Sequence, residues 1–147
     1  MGLAQYSKCT TKYERVAFIF AHLSIFTVYV WFGFLKVIGV SPADSVVEGL
    51  LSMTMPWWPF ESFFLFLGVF EMFVGILFLI PKMERIAIPL LVIHMITTFG
   101  PLVLTPETVW AGFLIPTLAG QYIIKNLIII ALAASILVDL KDKKKRK

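Results

Sequence analysis

Four long apolar runs dominate this sequence, at about residues 16–38, 60–80, 86–104 and 116–138. Each run is long enough to cross a bilayer as a helix, which needs roughly 20 residues. The chain has 147 residues, of which 59% are hydrophobic and 15% charged. A soluble domain of this size has too little interior to hide so much apolar surface. We therefore expect one all-α integral membrane domain, a four-helix bundle, over residues 1–147.

Basic residues are grouped on one side of this expected bundle. Eleven of the thirteen Lys and Arg residues lie before the first run, between the second and third runs, or in the tail 139–147. Because basic connections stay in the cytoplasm, we expect both termini and this tail there, with the protein in the cell (inner) membrane. The same placement accounts for the net charge of +4 without a nucleic-acid partner.

The first outer connection has the pattern of a short amphipathic helix. Ser41 and Pro42 are typical of a helix start, with an N-cap followed by proline at the first helical position. Apolar residues follow at helical spacing, namely Val46, Val47, Leu50 and Leu51. We expect this helix to lie on the outer face of the membrane.

A few polar side chains interrupt the apolar runs, where a central charge costs about 2.5–3.5 kcal/mol on insertion scales. Counting ~1.5 Å per residue from the centre of each run places Glu71 and His94 near the midplane and Lys36 ~14 Å toward the outer side. The fourth run adds three polar residues in its outer half. The candidate ligand-binding residues are Lys36, Glu71, His94, Gln121, Lys125 and Asn126.

Glu71 and Lys125 are the expected ion pair, because an acid and an ammonium at nearly one depth face the bundle interior. Gln121 lies four residues before Lys125 and shares its helix face. Gly68 and Gly75 place Glu71 in a small-residue seam, where another helix approaches closely. Two interpretations stay open for the pair: a binding or proton-handling site, or a polar contact that only fixes the helix register.

Metal binding and self-contained redox chemistry are not expected. The chain has two histidines, His22 and His94, and Cys9 is its single cysteine. This set falls short of a usual metal site, and one cysteine excludes an internal disulfide. Phosphate-binding glycine loops, nucleophile elbows and covalent haem motifs do not occur. We interpret His22 as structural.

Three segments carry a resemblance to a known family. Residues 31–36 resemble a Trp-x-Gly-x-x-Lys motif, residues 71–77 resemble a second-helix motif through Glu71 and Gly75, and residues 120–127 resemble a fourth-helix signature. Together with the topology, they resemble the DoxX-like superfamily of small four-helix membrane proteins, in the branch near the reactive-chlorine-resistance inner-membrane proteins. The resemblance covers roughly residues 13–138.

The resemblance implies a role in quinone-linked redox chemistry together with a partner protein. Named members of the superfamily include thiosulfate:quinone oxidoreductase subunits and partners of oxidative-stress enzymes. Five of the candidate residues match the motif positions of the superfamily, namely Lys36, Glu71, Gln121, Lys125 and Asn126. His94 lies outside these motifs and is a candidate only because of its expected depth in the membrane. A quinone is the implied small molecule, with no covalently bound cofactor.

The expected function is a redox- or stress-linked accessory subunit with an intramembrane site for a quinone-like or small lipophilic ligand. Any enzymatic role would be that of a quinone-linked oxidoreductase subunit acting with a partner. The expected partners are the lipid bilayer, a redox partner subunit and a second copy of the chain. The alternatives are a small transporter or proton-handling protein and a structural scaffold.

Overall fold

The computed structural model describes residues 12–145, with the side chains of residues 12–140. The N-terminal stretch that contains Cys9 lies outside the described residues, and so does the end of the basic tail. The elements follow in the order α1 (Lys12–Val37), α2 (Asp44–Thr54), α3 (Phe60–Leu77), α4 (Glu84–Phe99), α5 (Pro101–Leu104), α6 (Pro106–Val109), β1 (Trp110–Gly112), β2 (Ile115–Pro116) and α7 (Leu118–Lys145).

The four apolar runs form helices, as predicted. α1, α3 and α7 correspond to the first, second and fourth runs, and α4 and α5 divide the third. The division falls at Gly100: Pro101, which lacks an amide hydrogen, begins α5, whereas Pro89 lies inside α4 without ending it. Counting α4 and α5 as one span, four helices in the described chain are long and apolar enough to cross a membrane.

α2 is the short helix predicted between the first two spans, but it begins later than expected. The helix starts at Asp44 and no side chain caps it. Ser41 Oγ instead accepts a hydrogen bond from the Ala43 amide at 3.2 Å, which closes the turn before the helix. α2 packs beside the second outer connection, where a Cβ on Gly49 would lie 3.8 Å from the Thr105 methyl carbon. Both outer connections therefore meet at one end of the bundle.

A small β-hairpin lies in the second outer connection of a structure that is otherwise mostly helical and consistent with the all-α expectation. β1 and β2 pair antiparallel, with Trp110 opposite Pro116. In the turn, Leu114 has a φ of 56°, in the left-handed region that turns require. Trp110 Nε1 donates to the Leu102 carbonyl at 3.1 Å and holds the hairpin against α5. Strands of 3 and 2 residues are too short to show an alternating pattern in the sequence.

α1 and α3 pack through glycines. A Cβ built on Gly33 would lie 2.6 Å from the Gly68 carbonyl oxygen, and one built on Gly68 would lie 2.7 Å from the Gly33 carbonyl oxygen. A Cβ built on Gly75 would lie 2.9 Å from the Cβ of Tyr29. Because only glycine leaves room for two backbones this close, these residues fix the register of the two helices. We call Gly33, Gly68 and Gly75 the glycine seam.

The long helices surround an apolar core. α1 and α4 each contact both α3 and α7, so the helices follow the order α3, α1, α7, α4 around the bundle. Each contributes at least one almost completely buried aliphatic side chain, among them Ile25, Val74, Leu91 and Ile136. α3 and α7 are therefore diagonal to each other, as are α1 and α4.

Candidate functional site

Glu71 of α3 is the centre of a buried polar cluster. Its Oε2 accepts a hydrogen bond from Lys36 Nζ of α1 at 2.6 Å, and its Oε1 lies 3.1 Å from His94 Nε2 of α4. All three side chains are less than a tenth exposed. A buried carboxylate needs such donors, because an unpaired buried charge is strongly destabilising. Both oxygens of Glu71 are satisfied by side chains from two other helices.

Tyr29 of α1 extends the cluster on the far side of His94. Its hydroxyl lies 3.1 Å from His94 Nδ1, and the two rings meet edge to face with centroids 5.4 Å apart. These contacts fit a neutral imidazole that accepts from Tyr29 at Nδ1 and donates to Glu71 from Nε2. We call Tyr29, Lys36, Glu71 and His94 the central network.

Tyr29 is not predicted as a site residue from the sequence, because a tyrosine in an aromatic-rich apolar run carries no large desolvation cost. Its spacing is the signal that could have found it. Tyr29 lies seven residues before Lys36, and residues seven apart share a helix face. The buried face of α1 includes both residues.

The glycine seam explains how Lys36 reaches Glu71. Gly68 lies one turn before Glu71, and an added Cβ there would be 2.9 Å from Lys36 Cβ. Long side chains in a helix point toward its N-terminus, which directs Lys36 back toward the level of Glu71. Lys36 lies closer to the level of Glu71 than its position in the first run predicts, because α1 and α3 do not share a midpoint: Gly33, near the end of α1, packs against Gly68 at the middle of α3.

The expected pairing of Glu71 with Lys125 is wrong. Lys125 is exposed on α7, with its Nζ 5.3 Å from the centre of the Tyr122 ring. Gln121 is exposed as well, and Asn126 is half-buried. Because α7 lies diagonally across the bundle from α3, α1 and α4 supply the partners of Glu71 instead. The three α7 candidates thus lie outside the central network.

A row of aromatic rings leads from the connection before α3 to His94. Ring centroids are 5.7 Å apart for Trp58 and Phe66, 6.3 Å for Phe66 and Phe70, and 5.9 Å for Phe70 and His94. These separations lie within the range of aromatic contacts. Phe66 is exposed, so the row runs along the surface of the bundle. We call Trp58, Phe66 and Phe70 the aromatic row.

A surface cavity of about 180 Å³ opens where the aromatic row begins. It lies between α2 and α3, and its lining includes Glu48, Leu51, Trp58 and Phe60. An apolar cavity of about 150 Å³ is enough to hold a benzene ring. Trp58 belongs to both the cavity and the aromatic row, so the two features are continuous.

The chemistry that the central network offers is hydrogen bonding and proton transfer. Lys36 and Tyr29 donate, ionised Glu71 accepts, and His94 does both. Among the residues that the structure describes, no group of three or more His, Cys, Asp or Glu side chains is arranged to hold a metal ion.

The function of the central network has to be inferred from its own geometry. Comparison of the chain with protein-family models, with curated proteins and with solved structures finds no match.

Proposed function

We propose that this chain is an integral membrane protein that binds the polar head of a quinone-like or other small lipophilic ligand at the central network. It acts as a redox- or stress-linked accessory subunit beside a partner and belongs to the DoxX-like superfamily that it resembles. The observation that carries this proposal is the continuous set of contacts from Tyr29 through His94 and Glu71 to Lys36. Ionisable side chains at such depth are costly and commonly mark function.

The central network has the chemistry that a quinone head requires. Quinone carbonyls accept hydrogen bonds, and Lys36, Tyr29 and His94 are donors. Reduction of a quinone to a quinol consumes two electrons and two protons. His94 and Glu71 can exchange protons beside the head group, while the electrons come from a cofactor of the partner subunit.

The aromatic row supports a flat, lipophilic ligand in particular. The cavity at Trp58 has room for one ring. From there the row continues through Phe66 and Phe70 to His94. Offset stacking on such rings is favourable for a flat conjugated ligand. The row therefore offers a route from the bundle surface to the central network.

The proposal places the protein in the cell (inner) membrane with both termini in the cytoplasm. His22 of α1 lies 3.8 Å from Glu84 at the start of α4, so the connection between α3 and α4 is at the same end as the first half of α1. This connection carries Lys82, and Arg85 follows it. The outer connections, 38–59 and 105–117, contain no Lys or Arg. The positive-inside rule then gives this orientation.

A partner subunit or a second copy of the chain binds to α7 in this proposal. Gln121 and Lys125 are both exposed and lie four residues apart, so they share one face. A cation in contact with hydrocarbon is costly, and a polar partner side chain would lower that cost.

Binding of a short-chain benzoquinone tests the proposal. In lipid nanodiscs, quenching of tryptophan fluorescence should saturate with the wild-type protein, and Lys36→Met should weaken the affinity about tenfold or more. A hydrogen bond from a charged group is worth about 1.5–3 kcal/mol, and 1.4 kcal/mol is a factor of ten. Lys125→Met makes the same change outside the central network and should bind like the wild type.

The proposed ligand site is wrong if quenching by the benzoquinone does not saturate. It is also wrong if Lys36→Met and Lys125→Met bind equally well. Tyr29→Phe is the replacement variant if Lys36→Met does not fold, because it removes a single hydroxyl and keeps the ring.

Proton handling without a ligand is the second candidate function. The specific observation in its favour is that each member of the central network contacts the next at 3.1 Å or less. Proteoliposomes that contain a pH-sensitive dye distinguish the two functions. Proton uptake that needs His94 but no quinone favours this candidate over quinone binding.

A further inference from the structure

A second buried polar pair lies near the opposite end of the bundle from α2. His22 of α1 and Glu84, the first residue of α4, are each only 6% exposed. His22 Nε2 lies 3.8 Å from Glu84 Oε1. Within the described residues, neither His22 Nε2 nor Glu84 Oε2 has a hydrogen-bond partner. Two buried ionisable groups therefore face each other with hydrogen-bonding capacity left over.

The other side of the His22 ring determines where its hydrogens are. His22 Nδ1 lies 2.9 Å from the Phe18 carbonyl oxygen. A carbonyl oxygen can only accept, so Nδ1 carries a hydrogen. A neutral ring would then present the lone pair of Nε2 to the carboxylate of Glu84. Two buried acceptors that face each other are unfavourable, and one additional proton between them removes the conflict.

Glu84 is the member of the pair that we expect to stay ionised. It lies in the first turn of α4, and the N-terminus of a helix stabilises negative charge. Apart from Glu84, the His22 ring faces the rings of Phe18 and Phe78, whose centroids are 3.9 and 6.0 Å from its own. The remaining charged side chains described at this end are exposed, apart from half-buried Asp139; the exposed ones are Lys12, Glu14, Arg15, Lys82 and Arg85.

We propose that His22 and Glu84 form a proton-binding site, with the proton on His22 Nε2 and directed at the Glu84 carboxylate. The proton comes from water at the end of the bundle that carries the α3–α4 connection. Loss of this proton would remove the attraction between α1 and the start of α4, so the contact between these helices depends on pH.

This site is separate from the central network and does not depend on the proposed ligand. His22 and Tyr29 lie seven residues apart on α1, which is ~10 Å along the helix. Ile25 lies between them on the buried face of α1 and is only 1% exposed. Phe78 is 2% exposed and adds to the apolar layer beside His22. On the buried face of α1, therefore, no polar side chain between His22 and Tyr29 could accept a proton from His22.

Nitrogen NMR of the histidine rings tests the proposal on the full chain in nanodiscs. The chain has two histidines, so the His22→Gln variant assigns the signals. We expect both ring nitrogens of His22 to be protonated at pH 7. Glu84→Gln should remove most of the signal of the doubly protonated His22 ring, because the facing negative charge is lost.

Two further variants control the experiment. Glu107→Gln removes an exposed carboxylate at the other end of the bundle and should leave the His22 signals unchanged. Glu84→Asp retains the charge and replaces Glu84→Gln if the latter does not fold; its shorter side chain should give a smaller decrease. A His22 ring that is neutral at pH 7 in the wild type overturns the proposal. A doubly protonated His22 signal that neither Glu84 variant reduces also overturns it, and an equal change of the His94 signals overturns the independence of the two sites.

Discussion

Lys36 and Glu71 meet at 2.6 Å, and each is less than a tenth exposed. Removing one member of such a pair leaves an unpaired buried charge and typically costs about 3–5 kcal/mol. We therefore expect Lys36→Met and Glu71→Gln each to lower the free energy of unfolding by that amount. The double variant should lose less than either single variant, since it contains no unpaired charge. Chemical denaturation in mild detergent measures all four proteins, and additive losses would show that the two side chains are not coupled.

The Tyr29 hydroxyl has a smaller expected effect. Tyr29→Phe leaves the ring in place but removes the donor to His94 Nδ1. A buried acceptor left without its partner costs about 1–3 kcal/mol. Tyr122→Phe on the exposed surface of α7 is the matched control and should change the stability by less than ~0.5 kcal/mol. A Tyr29→Phe protein as stable as this control would show that the hydroxyl contributes nothing measurable.

Depth in the membrane predicts part of the central network from the sequence. The sequence predicts that Glu71 and His94 lie at one level, and in the structure Glu71 Oε1 is 3.1 Å from His94 Nε2. Depth alone favours Lys125 over Lys36 as the partner of Glu71, because depth contains no information about which helices are neighbours. Which helices are neighbours depends on close packing, such as that of α1 on α3. This packing is evident only in the structure, where Gly33 lies opposite Gly68.

At the scale of the helices and strands, the glycine seam is the feature that positions the central network. A Cβ on Gly68 would meet the Gly33 carbonyl oxygen at 2.7 Å, and backbone cannot move away as a side chain can. Gly68→Ala should therefore cost about 1–3 kcal/mol, as overpacking does. It should also separate Lys36 from Glu71 and so weaken benzoquinone binding.

Gly49→Ala is the matched control for the glycine seam. Gly49 lies inside α2, and the nearest atom to an added Cβ is 3.8 Å away. Alanine is favoured over glycine in a helix by about 1 kcal/mol, so this variant should be neutral or stabilised. Thermal unfolding of the two variants in one detergent decides the matter, and equal effects would contradict the packing described for α1 and α3.

The sequence predicts long helices better than short elements. Runs of about 20 apolar residues predict α1, α3, α4 with α5, and α7, because spanning a bilayer requires that length. α2 is predicted by its apolar spacing, although its start is displaced to Asp44. The hairpin of β1 and β2 is held by Trp110 and by the turn at Leu114, and neither contact leaves a periodic pattern in the sequence.

The proposed orientation of the bundle in the membrane is open to direct measurement. Ser45 is exposed on α2, and Cys9 is the single native cysteine. In intact cells, Ser45→Cys in a Cys9→Ser background should react with a membrane-impermeant thiol reagent. Native Cys9 should react only after the membrane is permeabilised. The reverse pattern would contradict the placement of both termini in the cytoplasm.

Ligand binding at the central network is tested most sharply by benzoquinone binding to the Lys36→Met/Glu71→Gln double variant in nanodiscs. This variant removes both charges of the central network without leaving either unpaired, so the bundle should remain folded. If the network is a ligand site, the folded double variant should bind the quinone about tenfold more weakly than the wild type or not at all. A folded double variant that binds the quinone as tightly as the wild type would show that the central network is not the ligand site and would leave the pair with the role of fixing the register of α1 and α3.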